Sequence, residues 1–175
     1  MAGCDGAVHL RRATESDAAA MAAIAVRASR TAYRGVLPDD LLAAMTDSGR
    51  ERAWRREIGL LPEELRPSVA EVDGRVVGFI GALPGEESEA DRDAVLTVSV
   101  DPDCWARGVG RRLVEHQVRL LRRLGREEAT TWVLVGDRGA RDFSEALGWR
   151  PDGARRTRTI GRTSTEEMRY RFRLG

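Results

Sequence analysis

One stretch of the chain, residues 94–124, constrains the fold most strongly, because a strand, a short loop and a long helix follow one another there. Residues 94–100 form a nearly continuous apolar run, which is typical of a strand covered on both faces. Residues 101–107 then form a loop, and residues 108–124 carry apolar side chains on one helical face and arginines on the other. This succession indicates an α/β protein.

Hydrophobic periodicity predicts the other elements and gives the order β-α-α-α-β-β-β-α-β-α-β-β, a mixed sheet covered by helices. At 175 residues the chain is expected to form a single domain, residues 1–175, with residues 1–6 frayed. The predicted helices span residues 14–29, 38–45, 50–61, 108–124 and 137–147, and the strands that could be placed span residues 7–12, 68–72, 75–83, 94–100, 130–135 and 166–174.

Composition narrows the function classes. The formal net charge is +1 with acids and bases interspersed, which is not typical of a nucleic-acid-binding protein. No apolar run approaches the ~18 residues of a membrane span and no signal peptide is seen, so a cytoplasmic location is expected. All 29 basic residues are arginines, and the absence of lysine disfavours a P-loop nucleotide hydrolase. The two cysteines, Cys4 and Cys104, suggest no disulfide framework, and Cys104 is expected to be a passive thiol.

The start of the 108–124 helix has the features of a diphosphate cradle. The first N–H groups of a helix have no partner within it and lie at its positive end. Gly108 and Gly110 let a phosphate approach these groups, and nearby arginines add positive charge. The alternative is an ordinary tight turn, since a Gly-x-Gly after a strand is a weak signal and Leu113 excludes the longer Gly-x-Gly-x-x-Gly motif.

Residues 105–110, Trp-Ala-Arg-Gly-Val-Gly, resemble the Gln/Arg-x-x-Gly-x-Gly/Ala signature of the GNAT superfamily of acyl-CoA N-acyltransferases, with Trp105 in place of the leading Gln or Arg. The resemblance covers nearly the whole chain. Further segments similar to that family are residues 11–17, 33–38, 73–80 and 132–149.

The resemblance implies a GNAT-like fold in which strands 4 and 5 splay apart and acetyl-CoA, as co-substrate, lies in the gap. The pantetheine arm is then expected along Val98, Ser99 and Val100. The diphosphate is expected at the helix start, and further contacts with acetyl-CoA are expected on the opposite wall of the gap. The helix-start residues are Arg107, Gly108, Val109, Gly110, Arg111 and Arg112, and those of the opposite wall are Asp137, Ala140 and Phe143.

The family's usual catalytic groups are not evident. The tyrosine that commonly acts as acid is replaced by Ser144, and the strand-4 glutamate position falls near Ala94, beside Asp93. One interpretation is an N-acetyltransferase in which a primary amine attacks acetyl-CoA directly in a ternary complex, helped by water or by a loop carboxylate. The alternatives are a catalytically degenerate acyl-CoA-binding domain with a regulatory or structural role, and a protein-binding domain without CoA. The candidate loop carboxylates are Glu86, Glu87, Glu89 and Asp91.

The sequence identifies the acceptor only by its class, which is a small-molecule amine or a peptide or protein amine. Tyr33 and Arg34 lie on a segment that borders the acceptor cleft in the family. His9 and His116 are too isolated in sequence to suggest a metal site, so no metal is expected. The resemblance is compatible with a monomer or a homodimer.

Overall fold

A computed structural model of the protein describes residue 4 and residues 6–84 and 93–175, with the backbone alone for residues 82–84 and 93. The helices are α1 (Ala18–Ala32), α2 (Asp39–Ala44), α3 (Ser48–Leu60), α4 (Val109–Arg123) and α5 (Arg138–Ala146). The strands are β1 (His9–Arg12), β2 (Ser68–Val72), β3 (Arg75–Pro84), β4 (Asp93–Val100), β5 (Glu128–Leu134), β6 (Arg150–Ile160) and β7 (Thr163–Arg173).

The predicted order of strands and helices is confirmed. The strands form one seven-stranded mixed sheet in the order β1-β2-β3-β4-β5-β7-β6. β4 and β5 pair in parallel, whereas β1 with β2, β2 with β3, β5 with β7 and β6 with β7 pair antiparallel. The mixed α/β class predicted from the sequence is therefore confirmed.

The parallel pairing of β4 with β5 is short. It runs from Asp93 opposite Glu128 to Val95 opposite Thr130, although β4 continues to Val100. The hydroxyl of Thr131 then donates to the carbonyl of Leu96 at 2.9 Å, which replaces a ladder bond by a side-chain bond. The regular ladder between these strands therefore covers less than half of β4, as the expected separation of strands 4 and 5 requires.

The chain divides into two compact units, and the first comprises residues 1–31, 45–82 and 98–117. Its core brings α1 and α3 against β2 and β3. The indole of Trp54 meets Phe79 edge-on, with ring centroids 5.3 Å apart, and packs against this core. The buried residues of this core are Ala13, Met21, Ile24, Ala25, Ile58, Val69 and Phe79.

The first helix was predicted over residues 14–29. In the structure this segment begins with a short 3₁₀ turn, Glu15–Asp17, and α1 follows it. Thr14 N–H donates to the Asp17 carboxylate at 2.8 Å, and Arg11 donates to the same carboxylate at 2.7 Å. Burial acts to raise the pKa of Asp17, but the bonds from Arg11 and Thr14 outweigh it and hold the pKa below its usual value. An ionised carboxylate therefore satisfies the amide that precedes α1.

The second unit comprises residues 32–44, 83–97 and 118–175. Here α5 covers one face of β7. The phenol of Tyr170 donates to the Glu145 carboxylate at 2.8 Å, and the rings of Trp149 and Phe172 lie 5.4 Å apart. Burial and the neighbouring Glu145 carboxylate raise the pKa of Tyr170, so its proton stays on the phenol at neutral pH.

Two further features bear on function. Within the residues described, no helix is both long enough and apolar enough to cross a lipid bilayer. The same residues contain no grouping of histidine, cysteine, aspartate and glutamate side chains with the geometry of a metal site.

Candidate functional site

The loop after β4 begins with a short turn that is capped by an aspartate. The 3₁₀ turn Pro102–Cys104 begins at Asp101, whose carboxylate accepts the N–H of Asp103 at 3.0 Å. The Asp101 N–H donates to the carbonyl of Val77 on β3 at 2.8 Å. Proline at the first position of such a turn loses no hydrogen bond, because that N–H has no partner anyway. The Asp-Pro-Asp sequence therefore fixes where β4 ends and the loop starts.

A guanidinium from α1 holds this loop in place. Arg27 donates to the Asp101 carboxylate at 2.8 Å and to the Asp103 carboxylate at 2.9 Å. Asp101 is buried, so its charge requires this partner. The two ion pairs also neutralise the acidic side chains nearest the start of α4, which leaves the local field dominated by the helix end and its arginines.

Trp105 occupies the position where the signature has Gln or Arg. Its indole N–H donates to the carbonyl of Val100, the last residue of β4, at 2.7 Å. The ring remains 40% exposed. Trp105 thus ties the loop back to the strand through a single donor, a role that the sequence alone did not reveal.

The backbone between Trp105 and α4 takes left-handed conformations. Ala106 has φ 58° and Gly108 has φ 80°, and a Cβ added at Gly108 would meet no atom within 4 Å. The hydrogen bond from Arg112 N–H to the Gly108 carbonyl, at 3.0 Å, starts the ladder of α4. The N–H groups of Val109, Gly110 and Arg111 precede it and have no acceptor within the helix. Alternating conformations of this kind turn successive amides into a concave anion-binding surface.

The residues predicted to surround the diphosphate are not all exposed. Arg107, Arg111 and Arg112 are exposed, and Arg111 lies 3.7 Å from Glu115 one helical turn on. Val109 is buried, with 1% of the residue exposed. The loop therefore offers amides and guanidinium groups to a ligand.

The state predicted for Cys104 is wrong. Cys4 and Cys104, separated by 100 residues in sequence, form a disulfide with Cα atoms 5.5 Å apart. The bond joins the N-terminal segment to the turn that follows β4. Because permanent disulfides are rare in reducing compartments, the cytoplasmic location stays a prediction.

The end of β4 contains the residues predicted to line the pantetheine arm. Val98 and Ser99 are half-buried, and Val100 is buried. A Cβ added at Gly78 on β3 would lie 3.0 Å from the carbonyl oxygen of Ser99. Glycine at position 78 therefore allows β3 to approach the end of β4 closely.

In the second unit, Asp137 caps α5. Its carboxylate accepts the N–H of Ala140 at 2.9 Å, and the side chain is almost fully buried. Burial raises the pKa of Asp137, although the bonds from the Ala140 and Gly139 amides act in the opposite direction. Ala140 and Phe143 follow on the same helix and are half-buried.

The proposed catalytic residues are placed as follows. Ser144 is buried, and its hydroxyl donates to the Ala140 carbonyl at 2.8 Å, so its proton is engaged by the helix backbone. The backbone of Asp93 opens β4, but its side chain lies outside the described residues. The loop carboxylates Glu86, Glu87, Glu89 and Asp91 lie outside them as well.

The predicted acceptor residues, Tyr33 and Arg34, lie in a tight turn of the second unit. The Tyr33 carbonyl accepts the N–H groups of Val36 and Leu37, both at 2.9 Å. A Cβ added at Gly136 would lie 2.7 Å from a methyl group of Val36. Glycine before Asp137 therefore lets this turn pack against the end of β5.

Sequence reasoning found the glycines and arginines of the loop but missed Arg27, Asp101 and Asp103. The Asp-Pro-Asp run is a recognisable cap signal and predicts the turn. The partner Arg27 carried no such signal, because it lies 74 residues from Asp101 on a different element.

The cap of α5 gives a testable prediction. Asp137→Asn keeps a side-chain oxygen that can accept the Ala140 N–H and removes a buried charge, so we expect the stability at pH 7 to be equal or higher. Because the folded-state pKa of Asp137 is raised, its charge costs stability as pH rises through the interval between the unfolded and folded pKa values. That pH dependence is expected to disappear in Asp137→Asn.

The matched control is Asp137→Ala, which removes both cap and charge and is expected to lose about 1 kcal/mol relative to Asp137→Asn. Urea denaturation at pH 4 and pH 7 measures both effects. A large loss of stability in Asp137→Asn would contradict this account of the cap.

Comparisons with known proteins agree with the fold. An uncharacterized N-acetyltransferase from Methanocaldococcus jannaschii is 32% identical over 84 residues, which are 46% of this chain and 37% of that protein, so the match spans well under half of that relative. The putative acetyltransferase yncA from Salmonella typhimurium, solved with acetyl-CoA, has a TM-score of 0.74 at 18% identity and covers 97% of this chain and 95% of its own.

The PaiA N-acetyltransferase from Thermoplasma acidophilum, solved with coenzyme A, has a TM-score of 0.73 at 15% identity and covers 95% of this chain and 99% of its own. At such low identity these two structures establish the fold alone. The sequence profile of the family described as the acetyltransferase (GNAT) family matches residues 32–149, about two thirds of the chain. The chain therefore belongs to the GNAT acetyltransferase family.

Proposed function

We propose that this protein is an N-acetyltransferase that moves an acetyl group from acetyl-CoA to a primary amine by direct attack within a ternary complex. Family membership supports the reaction class, and structural relatives have been solved with acetyl-CoA or coenzyme A. One observation of this chain carries the proposal: the left-handed turn before α4 leads into helix amides that have no acceptor within the helix, and Asp101 and Asp103 of the preceding loop are paired with Arg27.

The diphosphate of acetyl-CoA binds at this turn. The amides of Val109, Gly110 and Arg111 donate to phosphate oxygens, and the positive end of α4 favours their charge. No Cβ stands in the way at Gly108. The guanidinium groups of Arg107 and Arg112 provide charge-assisted hydrogen bonds to the same group.

The thioester binds along the end of β4. Regular pairing with β5 stops at Val95. The backbone groups of Val98 and Ser99 therefore form hydrogen bonds with the amides of the pantetheine arm, which lies beside β4 as an added strand would. As the amine attacks the thioester carbonyl, the carbonyl oxygen gains negative charge. A β4 backbone N–H stabilises that charge, because it is already oriented and needs no reorganisation.

The amine must lose a proton before or during attack. A lysine-like amine has a pKa of about 10.4 and is mostly protonated at neutral pH. The base is a carboxylate or an ordered water bonded to one. The candidates along the chain are Asp93, which opens β4, and the acidic residues Glu86, Glu87, Glu89 and Asp91.

Collapse of the tetrahedral intermediate breaks the carbon–sulfur bond and releases the CoA thiolate. A thiolate is a good leaving group, so a strong protein acid is not essential. Ser144 takes the place of the usual tyrosine, and its hydroxyl can accept a hydrogen bond from a water while it donates to Ala140. The released thiolate then takes up a proton from the solvent.

The acceptor is a small-molecule amine or a peptide or protein amine. Tyr33 and Arg34 lie in a turn that packs against Gly136, next to the cap residue Asp137. An aromatic ring and a guanidinium suit an acceptor that carries an aromatic or acidic group near its amine.

Donor binding is tested by Gly110→Trp. An indole at the first turn of α4 blocks the amides, and we expect the affinity for acetyl-CoA to fall at least roughly 100-fold, since two or more hydrogen bonds to a charged group are lost. The thermal shift produced by acetyl-CoA in the wild type should then vanish.

The matched control is Gly49→Trp, because a Cβ at Gly49 on α3 meets no atom within 4 Å. Gly49→Trp should keep the full thermal shift. Unchanged affinity in Gly110→Trp would place the donor site elsewhere.

Turnover is tested by release of free thiol from acetyl-CoA across a panel of amines, amino acids and peptides with free N-termini. We expect at least one class of amine to accelerate release above the enzyme-free rate, and Gly110→Trp to abolish the acceleration.

The second candidate function is an acyl-CoA-binding domain without catalysis, and the bond from Ser144 to the Ala140 carbonyl favours it because no acidic proton is left there. That function predicts the same thermal shift with no thiol release for any amine in the panel. The two assays together therefore separate a transferase, a degenerate binder and a protein that binds no CoA.

A further inference from the structure

The disulfide between Cys4 and Cys104 lies in the loop that leads into α4. Cys104 is the last residue of the 3₁₀ turn Pro102–Cys104, and its Cα lies 5.5 Å from that of Cys4. The left-handed residues Ala106 and Gly108 follow shortly after it. The bond therefore attaches the N-terminal segment covalently to the loop where we place the diphosphate of acetyl-CoA.

The N-terminal segment also lies against the sheet. A Cβ added at Gly6 would lie 2.5 Å from a carboxylate oxygen of Asp73, so the backbone at Gly6 packs closely against the turn between β2 and β3. The strand β1 then begins at His9 and pairs with β2. The disulfide therefore connects the loop, through the N-terminal segment, to the sheet.

Other attachments of this loop are non-covalent and partly open to solvent. The Arg27 side chain is 48% exposed and the Asp103 side chain is 68% exposed, and ion pairs in water contribute little to stability. The indole of Trp105 is bonded to the carbonyl of Val100 through a single N–H. The disulfide adds a covalent constraint to these weaker attachments, just before the left-handed residues.

We propose that the bond between Cys4 and Cys104 is a redox switch that sets the affinity of the donor site. While the bond is closed, the turn is preorganised and the amides at the start of α4 are in place for the diphosphate. When a small thiol such as glutathione reduces the bond, the loop gains conformational freedom that acetyl-CoA must remove on binding, so the affinity falls. The inference rests on the proposed function, because it assigns regulation to that same binding site.

The two cysteines differ in their access to solvent, which sets the course of the reduction. Cys104 is 2% exposed, whereas Cys4 is half-buried. A thiolate from solvent therefore attacks the sulfur of Cys4, forms a mixed disulfide there and releases Cys104 as a thiolate, which takes up a proton. A second thiol then breaks the mixed disulfide. In sum, one protein disulfide and two small thiols become two cysteine thiols and one small-molecule disulfide.

Reduction acts on the loop and leaves the fold in place. The buried cluster that joins α1 and α3 to β2 and β3 contains neither cysteine. The pairing of β1 with β2 does not involve them either. The reduced protein is therefore expected to keep its fold while its donor turn is less ordered.

The coupling between the bond and the ligand acts in both directions. If acetyl-CoA binds the closed form more tightly by some factor, bound acetyl-CoA shifts the disulfide equilibrium toward the closed form by the same factor. A difference of about fivefold in affinity corresponds to about 20 mV in the reduction potential of a two-electron couple. A disulfide that stabilises the fold without influence on the donor turn shows no such shift.

The test uses an acetyl-CoA analogue with a thioether in place of the thioester, so that the ligand cannot exchange with thiols. Isothermal titration calorimetry measures its affinity for the oxidised protein and for protein reduced with dithiothreitol. We expect the affinity to fall at least about fivefold on reduction, because the loop is no longer preorganised. Alkylation of free thiols followed by mass spectrometry gives the redox state of each sample.

Cys4→Ser cannot form the bond and is expected to bind the analogue as weakly as the reduced wild type, with no response to dithiothreitol. The matched control is Ala7→Ser, at an exposed position of the same segment, which keeps both cysteines. Ala7→Ser should behave as the wild type does in both redox states. Melting curves verify that every sample is folded at the temperature of the titration.

The reduction potential of the wild-type disulfide is measured in glutathione buffers with and without the analogue. We expect the analogue to lower the potential by at least about 20 mV, as the fivefold difference in affinity requires.

Weaker binding by both the reduced protein and Cys4→Ser, together with the shift in potential, supports the switch. Equal affinity in the two redox states would overturn the switch and leave the proposed donor site intact, whatever happens to the melting temperature. An oxidised protein that binds no analogue would overturn the donor site and the switch together. Cysteines that stay free under air, or a bond that glutathione buffers leave closed, would also contradict the switch.

Discussion

The left-handed turn between β4 and α4 is the constraint on which the account depends. Ala106 and Gly108 hold positive φ values, and the chain keeps them because Trp105 is tied to Val100 and Arg27 grips the turn just before them. A non-glycine residue such as Ala106 in this conformation costs of order 1 kcal/mol, and such strain concentrates at functional sites. The hydrogen bonds around it offset that cost.

Much of the fold could be predicted from the sequence because its signals are local. Apolar runs predicted β4 and β5, and helical spacing predicted α1 and α4, whereas β6 was not placed. The Asp73-Gly74 turn has the positive φ values that its sequence requires, 49° and 76°. The alternation of Arg169, Arg171 and Arg173 was visible along β7.

The rest depended on contacts between distant segments. The ion pairs of the arginines on β6 and β7 required the register of three strands, since Glu128, Asp152 and Glu167 come from β5, β6 and β7. The bonds from Arg27 to Asp101 and from Cys4 to Cys104 join residues far apart in sequence, and neither had a local signal. The turn before α4 was thus predictable from its glycines, whereas the residues that hold it were not.

The two units use arginine differently. In the first, Arg27 pairs with Asp101 and Asp103 in the loop before α4, an arrangement that we propose recognises phosphate without a lysine. In the second, arginines of β6 and β7 are ion-paired with Glu128, Asp152 and Glu167. Arginine is the only basic residue type in the chain apart from two histidines.

The most direct measurement of the central claim is a titration of the ¹⁵N-labelled protein with coenzyme A, followed by two-dimensional ¹H–¹⁵N NMR. Glycine amides resonate in a separate region of the spectrum, so Gly108 and Gly110 are readily observed. The account predicts that the amides of Gly108, Val109 and Gly110 shift most and saturate together. Saturation by coenzyme A while these three amides stay unmoved would contradict it.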